Sequence, residues 1–330
     1  MLAKELSPRR PFAVKRLPFL AQFYLRAYHC PSTFWRLRAL RVLFSIFYSL
    51  CRTSTGEFEY ERRGRRRTIR FNARNLQFQA LYTPFYQHGY EPDVAMLLDS
   101  LLREGGTFFD IGSNWGYFAL YAASNRERLT IHAFEPTHGT YRDLTACVEQ
   151  AGISEMVNCH HIALSATDGE AFMHMPDGLH SGQATVSATS GMARVATRRL
   201  DAMNLPAPDL IKMDVEDHEM EVLRGGAAML RSVHPFIVFE NKSNPAFPVK
   251  TLEPLFFLAE LGYRLYAPVL RRNHTTQRHY LPAGGQILNP TELWVLMPLE
   301  PEMRLLWQHD LNVFACHESR HPQLASVFNA

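Results

Sequence analysis

The residues of this sequence whose types and spacing could do chemistry begin at Asp110. The apolar, β-prone stretch 107–111 ends at this carboxylate, and Gly112 and Gly116 then bracket a tight turn that contains Asn114. Glycine lets the backbone approach a ligand closely, and a helix that starts after such a turn offers free N–H groups. A strand, a glycine turn and a helix together form the pattern that holds a nucleotide at the carboxyl edge of a parallel sheet. We therefore expect a nucleotide-containing ligand at this turn.

The spacing of the glycines decides which nucleotide fits. A dinucleotide fingerprint has three glycines spaced G-x-G-x-x-G, whereas Gly112 and Gly116 are four residues apart. The carboxylate of Asp110 would repel a pyrophosphate, but it suits a cationic ligand such as the amino group or sulfonium of S-adenosylmethionine. Glu135, followed by Pro136, ends a predicted second strand about 20 residues past the turn, where a carboxylate accepts both ribose hydroxyls. The pattern favours S-adenosylmethionine and leaves a nicotinamide dinucleotide as the alternative.

Strands and helices alternate around this turn and must position its carboxylates. A helix predicted at 90–102 leads into the first strand, and a second helix follows Thr137. Such alternation of β and α predicts a doubly wound α/β sheet. The predicted strands are 107–111, 130–134, 157–164, 209–213, 236–239, 263–266 and 293–297.

Charge is distributed unevenly along the 330 residues. Residues 1–75 carry 17 Lys and Arg and 4 Glu, a net charge of +13, whereas the remainder carries 18 basic and 28 acidic residues, a net charge of −10. The pattern predicts a basic helical N-terminal part over residues 1–52, with a break at Pro31, followed by a hairpin turn around Gly64. The basic amphipathic helix could lie on an anionic membrane surface or pack its apolar side on the main domain. We expect no nucleic-acid partner, since no aromatic residues interleave with the charge run.

The cysteines and the hydropathy bear on the compartment. The five cysteines include no C-x-x-C pair, which is typical of reduced thiols and favours neither a disulfide framework nor a zinc site. We expect no signal peptide, and the uncharged stretch 42–51 is too short to span a bilayer. The sequence therefore predicts a cytoplasmic protein, with peripheral contact at the inner membrane face as an additional hypothesis.

Two further stretches could contact a substrate. The loop 180–185 is rich in Gly, Ser and Thr, which suits a mobile lid or substrate loop. The aromatic residues Tyr82, Phe85 and Tyr86 could line a sugar site or belong to the core. Residues 268–290 are rich in Arg, Pro and Gly and are predicted to form a surface excursion.

Three motifs of this sequence resemble those of FkbM-type methyltransferases. Residues 108–117 are similar to the first motif of that family, and residues 134–136 are similar to the second. Residues 210–216, followed by Glu219 and by 223–226, are similar to its fourth-strand signature. The motifs occur in the family order and cover roughly residues 85–245. Asp217 departs from the pattern, because glycine is usual at that position, and it adds a negative charge beside the expected active site.

The resemblance implies a class I S-adenosylmethionine-dependent methyltransferase fold, with a seven-stranded sheet whose last strand is antiparallel. The resemblance does not cover the first 85 residues or residues 268–330, and we expect a basic N-terminal extension at 1–85, a methyltransferase domain at 86–300 and a C-terminal tail at 301–330. By the motif match, Glu135 and Pro136 should hold the ribose, and Ala163 and Leu164 should border the adenine. The residues expected to hold the methionine part are Asp110, Gly112, Asn114 and Gly116.

Members of that family transfer a methyl group to a hydroxyl of a sugar, glycan or polyketide-like compound, and this chemistry needs few catalytic groups. The protein aligns the acceptor oxygen with the methyl group, and a base that removes the hydroxyl proton increases the rate. At the ends of the predicted strands, we expect Asp214 to be the base, Glu216 to share that role, and Glu240 to fix the acceptor. Clustered carboxylates also suit Mg²⁺, although no spacing here requires a metal.

Two alternatives stay open at this point. One is a nicotinamide-dependent oxidoreductase, against which Asp110 and the missing third glycine argue. The other is a non-catalytic glycan- or membrane-binding protein with a methyltransferase fold, against which the intact Gly112, Gly116 and Glu135 argue.

Overall fold

The structure is a computed structural model of the chain. It describes residues 2–4, 9–28, 54–83, 86, 89–174, 185–187, 191, 193–274, 277–282, 293–307 and 309–328, together with Val42 and Ile46. Most of the predicted basic amphipathic helix, Phe85, the loop residues 180–184 and the segment 283–290 lie outside these described residues.

The described strands and helices alternate along most of the chain. The strands are β1 (Leu2–Lys4), β2 (Phe12–Arg16), β3 (Thr55–Arg62), β4 (Arg65–Asn72), β5 (Gly106–Ile111), β6 (Leu129–Phe134), β7 (Val157–His160), β8 (Ala163–Leu164), β9 (Gly169–His174), β10 (Thr185–Ser187), β11 (Ala193–Arg198), β12 (Leu210–Met213), β13 (Phe236–Asn241), β14 (Tyr263–His274), β15 (Gln277–Pro282), β16 (Leu293–Pro298) and β17 (Leu311–His317). The α-helices are α1 (Phe19–Tyr28), α2 (Pro92–Leu101), α3 (Tyr117–Ala123), α4 (His138–Ala151), α5 (Glu219–Gly225), α6 (Ala227–Val233), α7 (Pro248–Glu260) and α8 (His321–Phe328).

The main sheet runs in the order β1-β16-β14-β17-β13-β12-β5-β6-β7, and β15 pairs with β14 beside this path. Strands β7, β6, β5, β12 and β13 are parallel, as the alternation predicted, and β17 is antiparallel to both of its neighbours. Among the described residues the sheet has ten strands rather than the predicted seven, because β1, β15 and β17 were not among the predicted strands.

The C-terminal part of the chain differs from the sequence predictions in three places. The last strand of the sheet is β17 and not the stretch 293–297, which forms β16 near the edge. The predicted tail at 301–330 supplies β17, whose Val313, Phe314 and Ala315 are fully buried between β13 and β14. The predicted excursion at 268–290 also contributes to the sheet, since β14 and β15 pair across it. Long apolar strands outweigh the local Pro and Arg content there.

Alternate side chains of the central strands enter two hydrophobic cores. On β5, Phe108 packs with α2, α3, α4 and α8, whereas Phe109 and Ile111 pack with α5, α6 and α7 on the opposite face. This arrangement follows from the two-residue period of a strand. The carboxylates that follow β12 and β13 therefore reach the same edge of the sheet as the turn after β5.

The N-terminal part begins with strands rather than with the predicted helix. Strand β2 pairs with β3 of the β3–β4 hairpin, which confirms the predicted turn at Gly64. Partly buried residues alternate with exposed ones at the start of β2, and Phe12 is partly buried. The centroid of its ring lies 5.8 Å from that of Phe58 and 6.1 Å from that of Trp115. Trp115 belongs to the glycine turn, so this small sheet supports the turn from behind. No helix of the described residues is both long enough and apolar enough to cross a bilayer.

The chain forms a second small sheet that is separate from the main sheet. It runs in the order β10-β9-β11-β8, and its parallel pair joins Thr197 and Arg198 to Ala163 and Leu164. The predicted third strand at 157–164 is therefore split. Its first half, β7, ends the main sheet, and its last two residues form β8 in this separate sheet.

Candidate functional site

A cavity of about 290 Å³ opens at the carboxyl ends of the parallel strands. This is the edge at which an open α/β sheet binds its ligands. Nine residues predicted from the sequence line the cavity: Gly112, Asn114, Glu135, Pro136, Ala163, Leu164, Asp214, Glu216 and Glu240. Two other predicted residues do not line it, since Asp110 lies buried beneath the cavity and Gly116 packs against Leu144.

The turn after β5 is tight because its backbone approaches β12. Gly112 has a φ of 75°, and a Cβ atom there would overlap the carbonyl oxygen of Asp214. Asn114 also adopts the left-handed conformation, with a φ of 51°, which asparagine tolerates better than most residues. Gly112 therefore allows a close approach to the backbone of Asp214, whereas the sequence predicted a close approach to a ligand.

The N–H groups of this turn are not available to a ligand, which corrects one sequence prediction. Those of Gly112 and Ser113 donate to Phe134 O, and that of Gly116 donates to Ser113 O. The N–H of Asn114 donates to Glu135, and that of Trp115 donates to the Asn114 side chain. The helix then begins at Tyr117 rather than at Trp115. A pyrophosphate, which would need several free donors, therefore has none in residues 112–116.

Glu135 is held in place by two backbone donors. Its Oε2 accepts from Asn114 N at 3.1 Å, and its Oε1 accepts from Thr137 N at 2.7 Å. The residue is only 6% exposed, and this burial raises the pKa of its carboxyl to about 7, against the lowering effect of both hydrogen bonds. The carboxyl group is therefore fixed in orientation and retains lone pairs that can accept from ribose hydroxyls.

An apolar wall lies beyond Glu135 and was only partly predicted. Ala163 and Leu164 of β8 line it together with Ile162, as expected for a surface beside a flat ring. Met173 of β9 and Val186 of β10 complete the wall from the second small sheet. Sequence reasoning missed these two residues, because nothing local in the chain shows that β9 and β10 fold back over β8.

His218 also lines this side of the cavity. Its Nε2 lies 3.1 Å from Ser165 Oγ, and burial lowers its pKa, which favours the neutral imidazole. Gly225 of α5 lies directly against Ser165 O, so α5 is fixed beside the apolar wall. The imidazole is thus placed toward the expected adenine rather than toward the carboxylates.

Below the turn, a buried ion pair joins β5 to β12. Asp110 and Lys212 are register neighbours, and the Lys212 Nζ lies 3.9 Å from Asp110 Oδ1 and 3.6 Å from Asp214 Oδ2. Burial raises the pKa of Asp110 to about 6, although the nearby ammonium acts in the opposite direction. Sequence reasoning missed Lys212 as a site residue. A lone lysine in an apolar strand gives no signal other than its improbable burial.

Three predicted acids meet on the far side of the cavity. Oxygen atoms of Asp214, Glu216 and Glu240 lie within 4.8 Å of one another. Lys242 forms an ion pair with Glu216, and its Nζ lies 3.8 Å from Glu240. Burial and the nearby Asp214 raise the pKa of Glu240 to about 9, so Glu240 is protonated at neutral pH.

The same three acids could hold a cation, but the local charge does not favour a metal. Lys242 and Lys212 already neutralise two of the carboxylates, and neither lysine can ligate a metal while protonated. The geometry thus gives no support for Mg²⁺ beyond the proximity of the oxygen atoms.

Three tyrosine rings, two from the segment before α2 and one from the start of α3, line the cavity together with these acids. The ring of Tyr90 lies 5.1 Å from that of Tyr86 and 5.1 Å from that of Tyr117, and all three rings line the cavity. Of the aromatic residues singled out in the sequence, Tyr86 lines the cavity, whereas Tyr82 packs on Phe71. Flat rings beside carboxyl groups suit a ligand with apolar C–H faces and several hydroxyls.

Residues 110–265 match the family model of the methyltransferase FkbM domain. A similar curated protein is the hexuronic acid methyltransferase AglP of Haloferax volcanii, which is 32% identical over 158 residues. The match covers 46% of this chain and 62% of that protein, so the chain matches about three fifths of its relative.

Two solved structures are also similar. The methyltransferase FkbM of Methylobacillus flagellatus KT has a TM-score of 0.40 at 15% identity, over 73% of this chain and 52% of that chain. The S-adenosylmethionine-dependent O-methyltransferase of Thermotoga maritima has a TM-score of 0.37 at 10% identity, over 84% of this chain and 81% of that chain.

Proposed function

We propose that this chain, whose residues 110–265 form a methyltransferase FkbM domain, is an S-adenosylmethionine-dependent O-methyltransferase that acts on a sugar hydroxyl. The observation that carries the proposal is that Glu135 and Asp214 line the same cavity. The first is a carboxyl group fixed for a ribose, and the second is a carboxylate placed for an acceptor.

The residues present fit S-adenosylmethionine. Glu135 would accept from the ribose hydroxyls, and the apolar wall of Ala163, Leu164 and Met173 would contact the adenine. The acids around Asp214 would favour the positive charges of the sulfonium and the amino group. When bound, S-adenosylmethionine supplies an electrophilic methyl group, which forms a C–O bond with the acceptor as the C–S bond breaks and its electron pair stays on sulfur.

The three acids differ enough to hold different roles. Glu216 is tied to Lys242, so its carboxylate already has a partner. Glu240, with a pKa near 9, carries a proton and can donate a hydrogen bond that orients the acceptor. Asp214 borders the cavity beside both groups, and we assign to it the removal of the hydroxyl proton.

The sugar class is proposed from two observations. Tyr86, Tyr90 and Tyr117 provide ring faces opposite carboxyl groups, as saccharide sites require. The relative AglP is named for a hexuronic acid substrate. A saccharide that contains a hexuronic acid, offered as a glycoside, is therefore the first acceptor to test.

The nicotinamide alternative loses support, because the N–H groups of residues 112–116 are engaged within the protein. The non-catalytic alternative makes a different prediction, namely cofactor or saccharide binding without transfer.

Peripheral contact between the basic N-terminal part and an anionic membrane is a separate proposal. Among the described residues of that part, Phe19 is 62% exposed on α1. Co-sedimentation with vesicles that contain anionic lipid, compared with neutral vesicles, tests it. Binding that does not weaken as salt is raised would contradict an electrostatic contact.

Titration calorimetry with S-adenosylmethionine and with NAD⁺ tests the cofactor assignment. We expect the wild-type chain to bind only S-adenosylmethionine, and we expect Glu135→Gln to weaken binding at least tenfold, which corresponds to about 1.4 kcal/mol. Glu149→Gln, an exposed change on α4, is the matched control. Equal affinities in the two variants would contradict the role of Glu135.

Methyl transfer to methyl glucuronide and methyl glucoside is then measured with labelled cofactor. Label in either glycoside supports the proposal, and Asp214→Asn should remove this label while cofactor binding persists. A wild-type chain that binds cofactor and glycoside without transfer would instead favour the non-catalytic alternative.

A further inference from the structure

His218 is a polar side chain beside the apolar wall of the cavity. The residues of that wall, which line the cavity together with His218, are Ile162, Ala163, Leu164, Met173 and Val186. A purine placed against such a wall buries its ring faces well, but the polar atoms on its edge lose water there and need hydrogen-bond partners. A polar group at this position can therefore decide which base the site accepts.

The position of His218 is fixed from two sides. Its backbone oxygen accepts from the N–H groups of Glu221 and Val222, at 3.1 and 3.2 Å, at the start of α5. Its side-chain Nε2 lies 3.1 Å from Ser165 Oγ. Ser165 directly follows β8, is 8% exposed and donates its backbone N–H to Arg198 O at 2.9 Å. Both ends of the side-chain hydrogen bond are thus held by the backbone, so the imidazole has a defined orientation.

This hydrogen bond leaves the second ring nitrogen, Nδ1, for a ligand. Nδ1 has no hydrogen-bond partner among the described residues of the chain. Burial lowers the pKa of His218, so the ring is neutral near pH 7, with one donor nitrogen and one acceptor nitrogen. In the tautomer whose Nε2–H donates to Ser165 Oγ, Nδ1 carries a free lone pair. An acceptor beside an apolar wall suits the amino group that adenine carries at C6.

Two other uncharged polar side chains of the cavity are engaged in building the turn after β5. Ser113 Oγ donates to Asp110 O at 2.6 Å, and Asn114 Oδ1 accepts from Trp115 N at 2.8 Å. His218 differs from both, because its hydrogen bond to Ser165 uses one ring nitrogen and leaves the other.

We propose that His218, oriented by Ser165, is the residue that selects adenine, and that its Nδ1 accepts a hydrogen bond from the 6-amino group of the base. The inference rests on the proposed function, in which S-adenosylmethionine is the methyl donor. It adds which side chain recognises the base, and it makes Ser165 a positioning residue that acts through the imidazole.

The test is a thermodynamic cycle that removes either partner of this hydrogen bond. The ligands are S-adenosylhomocysteine and its analogue with an unsubstituted purine, which lacks the 6-amino group. In calorimetric titrations the wild-type chain should bind the purine analogue at least about fivefold more weakly, because the buried imidazole acceptor then has no partner. His218→Phe keeps a flat ring without an acceptor, so its two dissociation constants should agree within about twofold.

Three further variants make the cycle specific. Ser165→Ala keeps the imidazole but removes its partner, so the preference for adenine should be smaller than in the wild type. His218→Gln restores an acceptor oxygen and should restore part of the preference that His218→Phe loses. The matched control is His321→Phe, because His321 also stands at the start of a helix, with its Nε2 3.0 Å from the Tyr266 hydroxyl, but does not line the cavity. Its preference should equal that of the wild type.

The outcomes separate this inference from the proposed function. A wild-type chain that binds neither S-adenosylmethionine nor S-adenosylhomocysteine would defeat the proposed function, and the inference with it. A wild-type chain that binds both purine ligands equally tightly would overturn the role of His218 and leave the function standing, and this comparison needs no variant to fold. An equal loss of affinity for both ligands in His218→Phe, with the preference retained, would make the imidazole a structural support of α5, which also overturns the assignment.

Discussion

Gly112→Ala tests whether the close approach between the glycine turn and β12 shapes the site. A Cβ at residue 112 would overlap the carbonyl oxygen of Asp214 and lie 2.9 Å from its carbonyl carbon, whereas ordinary contact begins at 3.4 Å. The φ of 75° is an additional cost for alanine. Because the obstructing atoms are backbone, the ends of β5 and β12 must move apart.

The magnitude follows from three contributions. The left-handed conformation costs alanine about 1–2 kcal/mol. Moving the Asp214 backbone weakens its 3.0 Å hydrogen bond from N–H to Ile111 O, which is worth about 0.5–1.5 kcal/mol. Overpacking typically adds about 1–3 kcal/mol. We expect Gly112→Ala to lower the free energy of unfolding by about 3–6 kcal/mol, as measured by urea denaturation.

Gly116→Ala is the matched control for this prediction. Its φ of 91° imposes a comparable backbone cost, but the added Cβ would meet side-chain atoms rather than backbone, namely Leu144 Cδ1 at 2.7 Å, which can rotate away, and Leu120 Cδ1 at 3.4 Å. We expect a loss of about 1–2 kcal/mol for this variant and no large change in cofactor affinity. Gly139→Ala, where a Cβ meets nothing within 4 Å, should be nearly neutral. Equal losses for Gly112→Ala and Gly116→Ala would refute the reasoning.

Three other predictions follow from the charges and hydrogen bonds of the site. Affinity for S-adenosylmethionine should fall by up to about tenfold per pH unit below pH 7. The reason is that Glu135, whose pKa is about 7, takes up a proton there and loses an acceptor for the ribose. Calorimetric titrations at several pH values check this, and Glu135→Gln should make the affinity nearly independent of pH. Lys242→Met should lower the rate of methyl transfer to a glycoside, because Glu216 loses the lysine with which it forms an ion pair, while the KM for S-adenosylmethionine changes little. An unchanged transfer rate would contradict this prediction. Arg304→Met should lower the free energy of unfolding by about 3 kcal/mol or more, because the buried guanidinium donates to both the side-chain and the backbone oxygen of Asn241. A smaller loss, measured by urea denaturation, would refute this prediction.

The site was largely predictable where its chemistry is local in sequence. Asp110 lies near the end of β5, and Gly112 and Glu135 directly follow β5 and β6, whose apolar runs are easily recognised; parallel strands bring their ends to one edge. The edge position of Asp214 and Glu240 follows from the same rule. What local sequence could not show was that the N–H groups of the turn are used within the protein, since that depends on the register of β6 beside β5.

The residues that were missed reach the site from distant parts of the chain. Met173 and Val186 arrive through a separate sheet, and Tyr90 arrives through the start of α2. Strand β17 was missed because the apolar run at 311–316 gives no indication that it pairs with β13 and β14. Long-range pairing of this kind depends on which edges remain open once the parallel strands have formed.

The unusual Asp217 shows how a departure from a sequence pattern can concern the backbone rather than the chemistry. Glu216 and Asp217 have φ values of 54° and 70°, so the chain enters the left-handed region directly after the strand that carries Asp214. Glycine suits this conformation without steric cost, and aspartate is among the residues that tolerate it best. The Asp217 carboxylate lies 3.1 Å from Lys250 Nζ, is 45% exposed and does not line the cavity. The Asp217 carboxylate therefore pairs with Lys250 of α7, and the position preserves the turn that brings Asp214 and Glu216 to the cavity.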